Sequence, residues 1–208
     1  MHRLTTATLA AAGGCAFFGA AAPAQASTFT VTLQEVGLNV VATGSGTIDT
    51  NDLTIIPAGV HSTGAFIVPA AGDIINGSPN GTNYDGYTGF TGPTSFGPGQ
   101  LTGPSTGSGD IVGIDNGEFS PARLIVPAGY VSGSTLSDIG IYNNQTLAGL
   151  LVTPGAYTWT WDNGADNFVL QIGPVATPLP ATLPLFATGL GALGLLGWRR
   201  KKKAQAAA

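Results

Sequence analysis

Residues able to perform acid–base or nucleophilic chemistry are sparse in this chain. His61 is the only histidine after residue 26, and the single cysteine, Cys15, lies near the N-terminus. A general base needs a partner within hydrogen-bond reach, and no neighbour in the sequence supplies one for His61. Carboxylates such as Asp115 and Glu118 have a spacing too common to define a glycosidase-type pair. The sequence therefore predicts no catalytic residue, and a hydrolase is the least favoured function.

Oxygen ligands for a metal ion are concentrated in one short segment, which holds Asp162, Asn163, Asp166 and Asn167. Calcium accepts carboxylate and amide oxygens, but the spacing differs from that of an EF-hand loop, and Asp and Asn also favour tight turns. We expect turn geometry to explain these residues, with calcium as a weak alternative at Asp162 and Asp166. Zinc lacks ligands, because one histidine and no cysteine follow residue 26. No cofactor is predicted.

The elements that must position these residues are β-strands. Phe29, Val31 and Leu33 alternate with threonines, which is the period-two pattern of a half-buried strand. Glycine (32 residues) and proline (14 residues) are abundant, and only 9% of residues are charged, a composition typical of short strands and loops. Further strands are expected at Leu38–Thr43, Leu53–Ile56, Ile111–Ile114, Arg123–Val126, Tyr130–Ser132, Leu136–Tyr142 and Leu147–Val152. The sequence predicts an all-β fold, an antiparallel sandwich or a jelly-roll-like domain.

The clearest predicted element is a hairpin near the end of this region. Its strands are Tyr157–Trp161 and Asn167–Ile172, and the five residues between them form a credible hairpin loop. Tyr157, Trp159 and Trp161 share one face of their strand. Large aromatic residues in an all-β chain usually fill the core, so we expect a core position. A ligand-stacking face at the same three residues is the alternative.

The middle of the chain, residues 76–109, combines many glycines and prolines with Tyr84, Tyr87, Phe90 and Phe96. Loops of this length are uncommon in compact domains. We expect a long loop that its aromatic residues pin to the sandwich. A surface that contacts a sugar or a partner is the less favoured alternative.

The N-terminal segment is typical of a secretory signal peptide. A basic start with Arg3 precedes a small, apolar stretch, and Ala24-Gln25-Ala26 is an A-x-A cleavage site. Cleavage there would leave Ser27 as the first residue of the mature protein. Because Cys15 is removed with the signal, the exported domain contains no thiol.

Charge is sharply partitioned along the chain. Residues 27–174 contain all eleven acidic residues but only one basic residue other than histidine, Arg123, a formal net charge of −10. Nucleic acid is excluded as a partner, because its phosphates would be repelled. Five of the remaining basic residues form one cluster, Arg199, Arg200, Lys201, Lys202 and Lys203.

The last thirty residues consist of three blocks. A motif, Pro178-Leu179-Pro180-Ala181, precedes an uncharged apolar stretch at Leu183–Trp198, and the basic cluster follows. The apolar stretch is about 24 Å long as a helix, shorter than the ~30 Å bilayer core. It can span if the basic side chains snorkel to the headgroups. The cations should then remain cytoplasmic, with the preceding chain outside; a buried core helix with a solvated basic tail is the alternative.

These three blocks resemble the PEP-CTERM class of bacterial sorting signals, in the variant that carries V-P-L-P-A. Here Thr177 replaces the usual Val. The resemblance implies recognition by a membrane-embedded exosortase, a transpeptidase-like cysteine protease. It further implies removal of the tail and transfer of the domain to the cell surface or the extracellular polysaccharide.

The sequence therefore predicts an exported, non-enzymatic protein of the cell surface or of an exopolysaccharide matrix. The alternative is a carbohydrate- or ice-binding module that uses flat threonine or aromatic faces. The expected partners are the inner membrane, through the C-terminal helix, an exosortase-type protease and extracellular polysaccharide. The predicted parts are a signal helix at 1–26, a β domain at 27–174, a linker with the sorting motif at 175–182, a transmembrane helix at 183–198 and a basic cytoplasmic tail at 199–208.

Overall fold

The computed structural model describes residues 26–56, 61–117 and 121–173. The strands are β1 (Thr28–Val36), β2 (Asn39–Thr47), β3 (Thr54–Ile55), β4 (His61–Thr63), β5 (Phe66–Val68), β6 (Asp73–Asn76), β7 (Thr82–Thr88), β8 (Thr106–Gly109), β9 (Val112–Asp115), β10 (Arg123–Pro127), β11 (Thr135–Tyr142), β12 (Gly155–Trp161) and β13 (Asp166–Ile172). A 3-10 turn at Asp162–Gly164 joins the last two. Within this part of the chain, no helix has the length and apolar character needed to cross a bilayer. The predicted signal helix, apart from Ala26, and the predicted transmembrane helix lie outside the described residues.

Two sheets form a sandwich. Sheet A has the strand order β12-β13-β1-β2-β11-β8, and sheet B has the order β3-β7-β10-β9-β6-β5, with β4 also paired to β7. The ladders are antiparallel except for β1 and β13, which run parallel, with Thr28 opposite Asn167 and Leu33 opposite Ile172. Ser27 therefore lies at one end of sheet A and Gly173 at the other. The predicted all-β, antiparallel-rich architecture is confirmed.

Alternating apolar residues from both sheets fill the space between them. Phe29, Val31 and Leu33 of β1 are fully buried, as their spacing predicts, and they share a core with Val112 and Leu124 of sheet B. Burial of an apolar side chain of this size contributes about 1.5–3 kcal/mol. This common core joins the two sheets.

The middle segment contains more regular structure than the sequence predicts. Strands β7 and β8 both lie within residues 76–109, so the prediction of one continuous loop is wrong. Asn83, Asp85 and Gly86 obscure β7 in the sequence because these residue types favour turns. Pairing of β7 with β3, β4 and β10 overrides this local preference.

The aromatic residues of the middle segment do anchor it. Tyr84 and Tyr87 project from opposite faces of β7 into two separate apolar clusters. Phe96 lies in the loop between β7 and β8 and is buried in the main core. Phe90 packs against that core while remaining partly exposed. These contacts fill the protein interior, so the aromatic residues fix the segment to the sandwich, as predicted, although part of the segment is strand rather than loop.

Two predicted strands are turns. At Leu147–Val152 the chain folds back on itself, because the Val152 N–H donates to the Leu147 carbonyl and Leu151 has a φ of 55°. Thr146 stabilises this turn through its hydroxyl, which accepts the Gly149 N–H at 2.9 Å. At Tyr130–Ser132 the chain also turns, between two glycines with positive φ. Apolar composition indicated strands here, but neither segment has a neighbouring ladder.

The outer faces of the two sheets differ. On sheet B, a second apolar cluster that includes Ile75, Tyr84 and Ile125 lies on the side away from the main core. On sheet A, the outward residues of every strand are exposed or half-buried within the described part of the protein. Sheet A therefore presents an open surface.

Candidate functional site

The predicted aromatic stripe faces the core. Trp159 is fully buried and packs edge-on against Phe168, with 5.7 Å between ring centroids. Trp161 is 3% exposed, and its indole N–H donates to the Asp49 carbonyl at 2.8 Å. Tyr157 is half-buried beside Phe96. The core interpretation is thus confirmed for both tryptophans, whose buried rings cannot stack on a ligand, whereas Tyr157 lies at the edge of the core.

A carboxylate cluster forms at the end of the sandwich where β1 begins. Asp52, Asp162 and Asp166 bring carboxylate oxygens within 4.8 Å of one another. Asp162 and Asp166 are the predicted calcium candidates, and Asp52 joins them from the loop between β2 and β3. The sequence gives no signal for Asp52, because 109 residues lie between it and Asp162 along the chain and only the fold brings the two together.

The other predicted oxygen ligands do not join this cluster. Asn167 points to the opposite face of β13, because side chains alternate along a strand. Asn163 has a φ of 52° within the turn, the left-handed region that Asn tolerates. Asn163 and Asp162 help to line an adjoining surface cleft of about 370 Å³. Three neighbouring carboxylates do not by themselves define a calcium site, which takes six to eight oxygens from carboxylates, carbonyls and waters, and turn geometry accounts for Asn163.

Asp166 also accepts a hydrogen bond from the backbone of Ser27. The Ser27 N–H donates to Asp166 Oδ1 at 2.6 Å, and both residues are buried. The Ser27 hydroxyl in turn accepts the Asp49 N–H at 2.8 Å. The predicted first residue of the mature protein is therefore held at the carboxylate cluster.

His61 lies on the outer side of sheet B. Its ring stacks on Tyr84 at 5.5 Å between centroids, and its Nε2 atom is buried and has no hydrogen-bond partner among the described residues. Tyr84 in turn accepts a hydrogen bond from Arg123, whose guanidinium is 3.6 Å from Asp115. The imidazole thus contacts an aromatic ring rather than a nucleophile or a carboxylate, and the described surroundings contain no acid–base pair around it.

One stretch of sequence matches a nucleophile pattern. Gly103-Pro104-Ser105-Thr106-Gly107 reads G-x-S-x-G, which in hydrolases marks a sharp turn from a strand into a helix. Here the stretch leads into edge strand β8. Ser105 accepts the Asn143 N–H at 3.1 Å. The structural context is that of a strand entry, and the serine is not a nucleophile of this type.

A buried polar pair connects the two sheets. Asn76 of β6 donates its amide N–H to Asp138 of β11 at 2.5 Å, and both residues are nearly inaccessible. Burial raises the pKa of the Asp138 carboxyl to about 7. Asp138 Oδ2 and Asn76 Oδ1 are buried, and no group in the described part of the chain donates a hydrogen bond to either. A proton on Asp138 would convert one of these acceptors into a donor.

Room for this pair is provided by glycines. A methyl group at Gly44 would collide with the Asp138 carboxylate, and one at Gly140 would lie 2.6 Å from Asn76 Oδ1. Sequence reasoning missed Asp138. The available signal was its place in the alternation of β11, where a carboxylate occupies an inward position.

The outward positions of sheet A form a polar surface that we call the hydroxyl face. It consists of the alternate, outward-facing residues of all six strands of sheet A, and none of these residues is charged. One transverse row across five adjacent strands contains Thr158, Val169, Thr30, Ser45 and Ser137. The threonines between Phe29, Val31 and Leu33 were its sequence signal.

The next transverse row of the hydroxyl face is also composed mainly of uncharged polar residues. It contains Gln171, Thr32, Thr43, Ile139 and Ser108. Hydroxyl and amide groups predominate, and methyl groups of threonine, valine and isoleucine lie between them. The backbone ladders of six strands hold these side chains in fixed registers.

The predicted sorting motif, Pro178-Leu179-Pro180-Ala181, and the basic cluster from Arg199 to Lys203 lie outside the described residues. No protein-family model matches the chain, and neither a curated protein nor a solved structure does. What can be inferred about function therefore depends on the residues and their geometry.

Proposed function

We propose that this chain is an exported, non-enzymatic protein of the cell surface or the extracellular matrix. The observation that carries the proposal is the partition of charge, with eleven acidic residues and Arg123 in 27–174 and five clustered cations after an apolar stretch. Cations resist transfer across a bilayer and remain on the cytoplasmic side. The acidic domain is then the part that leaves the cell.

The tail serves as a temporary tether in this proposal. Leu183–Trp198 holds the chain in the inner membrane, and the motif at Pro178–Ala181 presents it to an exosortase-type protease. Removal of the tail releases the domain to the surface or to the exopolysaccharide. The domain itself is a sandwich of two mainly antiparallel sheets, and it works by display or association without a cofactor.

The positions of Ser27 and Gly173 at opposite ends of sheet A support a tether. Gly173, the last described residue, donates its N–H to the Leu33 carbonyl at 2.9 Å, at the end of sheet A opposite Ser27. The carboxylate cluster lies at the Ser27 end. A tail that leaves from Gly173 would keep the cluster away from anionic lipid, which reduces repulsion between them.

Cell fractionation tests the proposal. We expect the unaltered protein in the surface or matrix fraction and a variant lacking residues 183–208 in the medium, because it has lost its tether. A second variant tests the charges alone. Replacement of the five basic residues by acidic ones should impair membrane retention while the apolar stretch stays intact. Protein found only in the cytoplasm of cells with intact Sec export would overturn the proposal.

A further inference from the structure

We propose that the hydroxyl face of sheet A binds an uncharged, hydroxyl-rich polysaccharide. This inference deepens the proposed function and rests on it, because such a polymer would be met outside the cell. It identifies which surface of the domain associates with the matrix. The surface lies on the opposite side of sheet A from the buried aromatic stripe.

The chemistry of the face matches that of a neutral sugar polymer. A threonine or serine hydroxyl donates one hydrogen bond and accepts two, and Gln171 both donates and accepts. Sugar hydroxyls have the same dual character. The methyl groups of Thr32, Thr43 and Ile139 offer apolar contacts to the C–H surfaces of a sugar ring.

The geometry of the face suits an extended partner. Six strands at about 4.8 Å spacing give a width of ~24 Å, and alternate residues from Thr28 to Gln34 extend for ~20 Å at about 3.3 Å per residue. Threonine side chains are restricted at χ1, so little side-chain freedom is lost on binding. Weak contacts repeated along a polymer gain strength through avidity.

The charge of the domain determines which class of polymer the hydroxyl face can bind. The domain has a formal net charge of −10, which repels an anionic polymer at long range. A cationic partner would bind to the carboxylates rather than to a face without charge. A neutral polymer contacts the hydroxyl face without removing any charge from water, and charge burial is what makes such contacts costly.

A second copy of the chain is a poorer fit to this face. The face covers roughly 500 Å² by the strand spacings above, whereas a standard protein–protein interface buries about 800 Å² per partner. The cores of homodimer interfaces are also more apolar than this surface. Self-association would in addition bring two acidic domains together.

The test is sedimentation of the full-length protein, in a detergent without a sugar headgroup, with insoluble cellulose, chitin, β-1,3-glucan and mannan. The face variant carries Thr43→Arg and Ser45→Arg, both at exposed outward positions of β2. The control carries Thr54→Arg and Thr94→Arg, which are exposed away from the face. Circular dichroism checks that each variant is folded. If the face variant does not fold, Thr158→Arg on β12 takes its place.

We expect the unaltered protein and the control variant to sediment with at least one of the four polymers, and the face variant to bind that polymer at least tenfold more weakly. Absence of binding to all four, or equal binding by the face variant, would overturn the inference. The inference would also be overturned if the unaltered protein were a dimer that the face substitutions dissociate. It would equally be overturned if the protein shaped ice crystals but bound no polymer. If fractionation places the protein outside the cell but no polymer binds, the proposed function survives and this inference fails.

Discussion

Asp138 is a carboxyl group whose environment disfavours its charged form. It lies between the sheets with Asn76 as its side-chain partner, and burial raises its pKa to about 7, with a smaller contribution from Asp110. Its unfolded value is 3.8, so the folded protein binds the proton more tightly. The stability that this proton contributes is fully present below pH 3.8 and is lost as the pH rises to 7.

We therefore predict that Asp138→Asn removes part of the pH dependence of folding. Because one pKa unit corresponds to about 1.4 kcal/mol, titration of Asp138 should lower the free energy of unfolding by up to that amount per pH unit between about pH 4 and 7, relative to the Asp138→Asn variant. Urea denaturation across this range measures the slope. A variant with Asp85→Asn should retain it, and an unchanged slope in Asp138→Asn would contradict the account.

A second prediction concerns Ser27 and Asp166. Signal cleavage after Ala26 would replace the Ser27 amide with an ammonium group beside a buried carboxylate, 2.6 Å from the present nitrogen. Charge-assisted hydrogen bonds contribute about 1.5–3 kcal/mol, against about 0.5–1.5 kcal/mol for neutral ones. We expect the protein that begins at Ser27 to be more stable than the same protein that begins at Ala26, by about 1 kcal/mol.

Urea denaturation of the two forms, each with and without Asp166→Asn, measures this coupling. The difference between the forms should disappear in the Asp166→Asn background. Equal stability of the two forms with Asp166 intact would show that the amino terminus does not pair with this carboxylate.

At the scale of the strands, Gly44 of β2 lies opposite Asp138 of β11 and leaves room for its inward carboxylate. We predict that Gly44→Ala destabilises the domain by about 1–3 kcal/mol, the usual cost of overpacking, because its methyl group would collide with the Asp138 carboxylate. Thermal unfolding measures the effect. Gly103→Ala is the control, since its methyl group would make an ordinary 3.7 Å contact with the Ala65 carbonyl; equal effects of the two substitutions would contradict this role for Gly44.

The strands also show what the sequence could predict. β1 and the β12–β13 hairpin are evident because apolar residues alternate without interruption and the residues of the turn are polar. β4, β7 and β8 are rich in Thr, Ser, Asn, Asp or Gly, and β5 and β6 have only three and four residues, so pairing in the folded sheet is what identifies them. Two of the three residues of the carboxylate cluster, Asp162 and Asp166, could be predicted because they belong to one hairpin. Asp52 comes close to them only in the folded protein.

At the scale of the molecule, two different surfaces follow from one alternating pattern. Inward residues of sheet A form the core, and outward residues form an uncharged, hydroxyl-rich face on a strongly acidic domain. The ends of the described domain leave sheet A at opposite ends, with Ser27 at the carboxylate cluster and Gly173 toward the predicted tail. With the predicted tail anchored in the membrane, this arrangement would leave both the hydroxyl face and the carboxylate cluster exposed to the exterior.

The most direct test of the central claim, that the tail is a removable membrane tether, is mass spectrometry of the C-terminus. Protein recovered from the cell surface and medium is compared between cells with and without the exosortase-type protease. We expect exported protein that ends near Pro178–Ala181 in the first cells, and membrane-bound protein that retains Arg199–Lys203 in the second. Exported protein that retains the basic cluster in cells with the protease would contradict the account.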